Sequence, residues 1–281
     1  MRVLLSIVVL ALLVNSAIAD DKPTLRLGAV ASTKETTRKA IRNLRNYLAQ
    51  DMNYDIDLKI YRRYGSIIKA LLRGHVDVAL LPPYLYLKAR QGQKLRTLAY
   101  TIFRSSGYFS YKSVLLVRRR SSMRSLKDLR GKRVAFVDNE SASGYVIPQK
   151  AMEKAGVPLK ALKKHSFAGN HVDGVLALLN GKADAAAAFD EITEVSSRLR
   201  AHKKKLRRLW TSKTIIPADV FVSTSDVPLE TRKALRLSLI CYAAAQRYGK
   251  TPKNPIYEGF VPGDPNLYDS LAKLINGKKG K

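Results

Sequence analysis

Apolar residues recur along this chain with two periods. The stretch TLRLGAV reads as a strand, and a helical spacing runs from about Thr36 to Asp51. IDLKIYR, GSIIKALLRG and VDVALLP then read as strand, helix and strand. The helix PYLYLKARQG follows, then the strands LRTLAYTIF, SVLLVRR and RVAFVD, a helix after ESASG, and a polar connection into HSFAG. Beyond these the pattern predicts a helix over HVDGVLALLNG, a strand over ADAAAAF, a basic helix to about Lys205, the strands LRRLWTS and DVFVST, and terminal helices. Such alternation predicts an α/β protein with largely parallel sheets. With no periodic repeat and no long Gly/Ser linker, two lobes joined by crossing strands fit better than independent modules. GSIIKALLRGHVDVALLP and HVDGVLALLNGKADAAAAFDE share a layout of apolar-faced helix, Gly-containing turn and strand opened by an aspartate. Two similar lobes would place a cleft at the carboxyl ends of their strands, where open sheets take ligands.

Composition changes this picture in three ways. At 281 residues, 46% hydrophobic and 26% charged, the chain is long enough for one large or two modest cores and is not disordered. Its start, Met1-Arg2, the apolar run VLLSIVVLALLV and then Asn15 to Asp20, has the order of a signal peptide spanning 1–19, with cleavage after Ala19. The apolar run is shorter than a membrane span needs, so a soluble exported protein is expected. No cysteine stands at the cleavage site to carry a lipid, and Cys241, within LSLICYAAA, is expected to be buried and inert.

Charge is the third. Fifty-one Lys plus Arg against 22 Asp plus Glu gives a formal +29, which favours anionic partners without naming one. The clusters RRR at 118–120, KK at 163–164, KKK at 203–205 and RR at 207–208 lack interleaved aromatics and read as solvated faces. No nucleic-acid partner is expected. Enzymatic signatures are also missing: no P-loop, H-E-x-x-H or nucleophile elbow is present, and the four histidines and one cysteine show no metal-ligand spacing. Neither catalysis, nor a cofactor, nor a metal is expected.

The stretch Glu140 to Pro148, ESASGYVIP, places two serines and a glycine where a strand turns into a helix. By itself it is an ordinary N-cap, although unpaired N–H groups there also suit an anion. In the company of RYGSIIKALLRGHVDVALLPPY, YKSVLLV, LKDLRGKRVAFVDNESASGYVIP, FAGNHVDGVLALLNGKADAAAAFDE and IIPADVFVS, the chain closely resembles the phosphonate-binding proteins of ABC importers. The resemblance covers nearly the whole mature chain, in order. It implies a type II periplasmic binding fold: two α/β lobes, a ligand cleft between them and a hinge of two crossing strands. Lobe 1 would comprise 20–115 plus 221–281, and lobe 2 would comprise 116–220.

The resemblance also implies a site. Ser141, Ala142, Ser143, Gly144 and the N–H groups around them would receive the oxygens of a phosphorus oxyanion, with His171 donating from the start of the next helix. Where the family often places threonine between the serines, this chain has Ala142, which loses a hydroxyl but no backbone donor. Glu191 and Asp219 match positions that hold the amine of an aminoalkylphosphonate, and Tyr64 and Tyr111 match the cage tyrosines. The resemblance allows either Tyr108 or Tyr111 at that second position. Read without the resemblance, Asp219 caps a turn after Pro217 and Glu191 lies on a solvated face. The expected ligand is a phosphonate such as 2-aminoethylphosphonate, or phosphite or phosphate. The expected partner is an inner-membrane ABC permease, or a membrane sensor in its place, with the protein itself a monomer.

Overall fold

The computed structural model describes residues 22–30, 35–92 and 94–276, so the signal peptide and its cleavage site lie outside the described residues. The chain begins with β1 (Thr24–Val30), α1 (Glu35–Met52), β2 (Asp55–Tyr61), α2 (Tyr64–Leu72), β3 (Val78–Leu81), α3 (Pro83–Gly92) and β4 (Arg96–Phe103). It then crosses through β5 (Ser110–Tyr111) into β6 (Ser113–Arg118), β7 (Arg133–Phe136), α4 (Ile147–Lys154), β8 (Lys164–Phe167), α5 (His171–Leu179) and β9 (Ala185–Phe189). The short helices α6 (Ile192–Val195) and α7 (Ser197–Arg200) lead to β10 (Leu206–Thr211), and β11 (Ile216–Pro217) crosses back. The chain closes with β12 (Val220–Ser223), α8 (Leu229–Arg247), β13 (Tyr257–Pro262) and α9 (Asp269–Asn276).

Two sheets result, six-stranded in the order β13-β4-β12-β3-β1-β2 and five-stranded in the order β10-β6-β9-β7-β8. The crossings β5 and β11 pair antiparallel, Tyr111 opposite Ile216 and Ser110 opposite Pro217, and form the hinge. Each lobe is a sheet buried on both faces. Ala185 and Ala187 of β9 pack into one core and Ala186 and Ala188 into another, which is why a strand of small residues suffices. In α1 the buried face is Ala40, Ile41, Leu44, Tyr47 and Leu48, the helical spacing visible in the sequence.

Several expectations are corrected. The sheets are mixed: β1 runs parallel to β2 and β3, but β12 and β13 run antiparallel to β4, and β6 antiparallel to β9 and β10. A chain that returns through the hinge enters the first sheet from the opposite end, so its strands oppose those already there. Residues 190–205 do not form one basic helix, because Ser196 is extended (φ −93°, ψ 113°) and breaks the segment into short turns. Lys164–Phe167, read as part of a polar connection, is the edge strand β8; all four residues are exposed, so no apolar alternation marks it. Among the expected terminal helices lies β13, whose Gly259 lets the strand approach α8 so closely that an added Cβ would sit 2.9 Å from the Ala243 side chain. Cys241 is exposed, because the buried face of α8 runs through Leu235, Leu239 and Tyr242 instead.

Candidate functional site

The end of β7 feeds a five-residue turn, Ala142–Val146, wound wider than an α-helix and continuous with α4. Ser141 precedes it in extended conformation, and its hydroxyl accepts from the Gly144 N–H at 3.1 Å. The amides of Tyr145 and Val146 both donate to the Ser141 carbonyl at 3.0 Å. That leaves the N–H groups of Ala142 and Ser143 with no acceptor among the described residues. They carry the positive end of the helical dipole, which is the physical basis of anion binding at such a turn. The turn is held from behind: the Ser113 hydroxyl, at the head of β6, donates to the Ser143 carbonyl at 2.7 Å. Gly144 is needed for packing, since a Cβ there would lie 2.4 Å from Val137.

The turn opens onto a cavity of about 360 Å³ between the two lobes. His171, first residue of α5, is buried, and its ring meets the edge of Phe189 with centroids 5.0 Å apart. Burial pulls its pKa down to about 3, so the imidazole is neutral near neutral pH, and its Nδ1 has no partner among the described residues. This end of the cavity therefore presents neutral polar groups. Arg198, the one Lys or Arg lining the cavity among the described residues, is exposed and stands 3.5 Å from Asp173.

Tyr64, at the head of α2, and Tyr111, on the hinge strand β5, approach from lobe 1, close to the Ser141 and Ser143 side chains respectively. Desolvation by burial pushes both phenols up, keeping them protonated donors. Asp219 lies two residues beyond β11, and burial raises its carboxyl to about 7. The carboxyl forms neither a hydrogen bond nor an ion pair among the described residues, so it caps no turn; its backbone carbonyl, separately, accepts from the Thr101 N–H at 2.9 Å. Tyr64, Tyr111, Tyr257 and Tyr268 are near enough to feel its charge. Glu191 follows β9 and accepts from the Ser105 hydroxyl of lobe 1 across the cleft. Lys88 of α3 and Glu140, beside the serine turn, form a second cross-lobe contact.

Eight of the nine residues expected at the site line this one cavity: Ser141, Ala142, Ser143, His171, Tyr64, Tyr111, Glu191 and Asp219. Gly144 does not line it, because its N–H is already committed to Ser141 and its face is pressed against Val137. Tyr111 lines the cavity, whereas Tyr108 is 67% exposed. Phe103, Phe189 and Tyr257 also line it and were not singled out in the sequence. Phe189 carried a faint signal as the single bulky residue after four alanines, and Tyr257 lies on the unforeseen strand β13. Tyr111 meets Phe103 and Phe189 edge-on at 5.8 and 6.2 Å, making an aromatic wall beside Asp219. No group of three or more His, Cys, Asp or Glu that could hold a metal ion occurs among the described residues.

Residues 28–268 match the family model described as the periplasmic substrate-binding protein of phosphonate ABC transporters. The phosphate-import protein PhnD of Mycolicibacterium smegmatis is 27% identical over 276 aligned residues, covering 90% of this chain and 84% of that one. A crystal structure of the binding component of an ABC phosphonate transporter from Pseudomonas aeruginosa superposes with a TM-score of 0.79 at 23% identity, covering 90% of this chain and 86% of that one. PhnD1 of Prochlorococcus marinus, solved in complex with methylphosphonate, gives 0.71 at 18% identity, covering 89% and 96%.

Proposed function

The chain belongs to the family of periplasmic substrate-binding proteins of phosphonate ABC transporters, and from that premise we propose that its cleft closes around a tetrahedral phosphorus oxyanion, with 2-aminoethylphosphonate the leading candidate. The family is a transporter component and not an enzyme, and it implies a small-molecule ligand and a membrane permease as partner. No helix among the described residues is long and apolar enough to cross a membrane.

The oxyanion half of the reading rests on the free N–H groups of Ala142 and Ser143, joined by the Ser141 and Ser143 hydroxyls and by His171. Neutral donors suit a dehydrated anion because they hold it without the large desolvation cost of burying a countercharge. The observation that carries the amine half is the unpaired Asp219 carboxyl, poised near neutrality inside an aromatic wall. An ammonium there would pull the carboxyl down and keep it ionised, with the rings adding cation–π attraction. Glu191 would add a second negative group at the mouth. One observation favours another ligand: the Mycolicibacterium relative imports phosphate, and Asp219 could equally accept the proton of a hydrogenphosphate.

We place the lobe boundaries at the hinge strands β5 and β11, so that lobe 2 begins with β6 at Ser113 and not at 116, lobe 1 resumes with β12 at Val220 and not at 221, and the mature chain is a monomer released by cleavage after Ala19. Mass spectrometry and gel filtration of the periplasmic protein test those two features: a mass retaining Met1, or a dimer, would contradict them. Calorimetry against 2-aminoethylphosphonate, methylphosphonate, phosphite, phosphate, sulfate and taurine tests the ligand class. Binding of phosphorus compounds and little heat from sulfate or taurine is expected. Tight taurine binding with no heat from any phosphorus compound would contradict the reading.

A further inference from the structure

Residues of three of the basic clusters, at 118–120, 163–164 and 203–205, converge far from the ligand cleft. They surround a concave basin of about 990 Å³ at the opposite end of the second sheet. Arg118 ends β6, whose first residue, Ser113, supports the serine turn; the five intervening steps span about 17 Å.

The basin has a built floor and a free rim. On the floor, Arg133 clamps Asp184 through Nε at 3.0 Å and Nη2 at 2.7 Å. Arg118 stands 3.5 Å from the same carboxylate and donates to the carbonyls of Leu178 and Ala183 at 2.7 Å each. Asp184, the one acidic residue in the lining, is thus neutralised twice over. Around it stand Arg119, Arg120, Lys132, Lys163, Lys204 and Lys205, all exposed and with no ion pair among the described residues. Main-chain bonds fix two of the pairings: the Arg119 N–H donates to the Lys205 carbonyl at 2.8 Å and the Lys163 N–H to the Lys132 carbonyl at 3.0 Å. These like charges are held side by side by the backbone and not by any counterion among the described residues, so the cluster repels itself until an anion fills it. No aromatic residue lines the basin, so it offers nothing on which a nucleobase could stack.

We propose that this basin is a second anion site, independent of the cleft, that takes several linked or clustered phosphate groups. Such groups occur on a soluble polyphosphate chain or as phosphomonoester headgroups at a membrane surface, and both present the same chemistry to the rim. A single small phosphonate would leave most of the cations unanswered.

The test compares the native protein with R119E/R120E/K204E in the basin and with R247E/K250E/K253E on lobe 1, which has the same net charge. Long-chain inorganic polyphosphate is the soluble probe; vesicles of phosphatidylcholine with and without phosphatidic acid are the membrane probe. With roughly a fivefold loss for each cation removed, the basin variant is expected to bind at least one probe about a hundredfold more weakly. The lobe 1 variant should stay within a few-fold of native. Polyphosphate responding alone identifies a soluble ligand, and vesicles responding alone identify a headgroup; either supports the site. Equal losses in both triple variants, or no loss in the basin variant, would overturn it by showing that only total charge matters. Thermal unfolding of each variant checks folding, and if the charge reversals unfold the protein, the neutral variant R119Q/R120Q/K204Q must show the same ordering.

Discussion

Asp219→Asn is expected to weaken 2-aminoethylphosphonate binding by about 2 kcal/mol or more while leaving methylphosphonate nearly unchanged. The carboxyl has no hydrogen-bond or ion-pair partner among the described residues, so an asparagine there breaks none of their contacts. What it removes is the charge that an ammonium requires. The ratio of the two affinities is the readout, because any general loss of closure or stability reduces both ligands together. A parallel loss for both would return Asp219 to a purely structural role.

The same substitution should move stability in the opposite direction. In the folded protein Asp219 titrates near 7, above the ordinary carboxyl value, so between about pH 4 and 7 the native state holds a proton that the unfolded chain has released. Stability from this group therefore falls as pH rises through that window. Asp219→Asn escapes the penalty, and its thermal advantage over the unliganded wild type should grow up to about pH 7 and then level off. The gain at the plateau is roughly 2–4 kcal/mol, the lower figure allowing for partial exposure of the side chain. A site that sacrifices stability in the absence of ligand is expected where function needs an uncompensated group.

His171→Ala is expected to weaken every phosphorus ligand alike, by about 1–3 kcal/mol for one lost hydrogen bond to an anion in a closed cleft. The wild-type imidazole is buried neutral with a pKa near 3, so the unfolded chain binds a proton below pH 6.5 that the native state refuses. Its contribution to stability is present above that pH and lost as pH falls toward 3. The alanine variant should lack this acid sensitivity. Because alanine also leaves a void beside Phe189, His171→Asn is the sharper control: an amide that restores a donor should recover part of the affinity, and a purely structural histidine would show no such ligand-wide recovery.

Much of the cavity's polar lining was legible in the sequence because its residues stand at element ends. Ser141, Ser143, His171 and Asp219 all sit where a strand or hinge segment gives way to the next element. The aromatic wall was less visible. Phe103, Phe189 and Tyr257 look like ordinary core residues along the chain, and only the meeting of two lobes turns them toward one cavity. Gly144 was misplaced for a related reason. A glycine in an anion-binding turn suggests close approach to the ligand, but here the close approach is to Val137. Among the elements, β8 and β13 escaped because an exposed edge strand and a strand interrupted by Glu258-Gly259 carry no clean alternation. The antiparallel strands of the first sheet follow from the return crossing of the hinge, which local periodicity does not encode.

Whether the serine turn and His171 together form the oxyanion seat is decided by a crystal structure of the methylphosphonate complex. The phosphonate oxygens should lie about 2.7–3.2 Å from the N–H groups of Ala142 and Ser143, from the serine hydroxyls and from a ring nitrogen of His171, with the methyl group directed toward Tyr111 and Asp219. A phosphonate seated elsewhere in the cleft, with the Ala142 and Ser143 N–H groups still bonded only to water, would show that the turn is not the oxyanion seat.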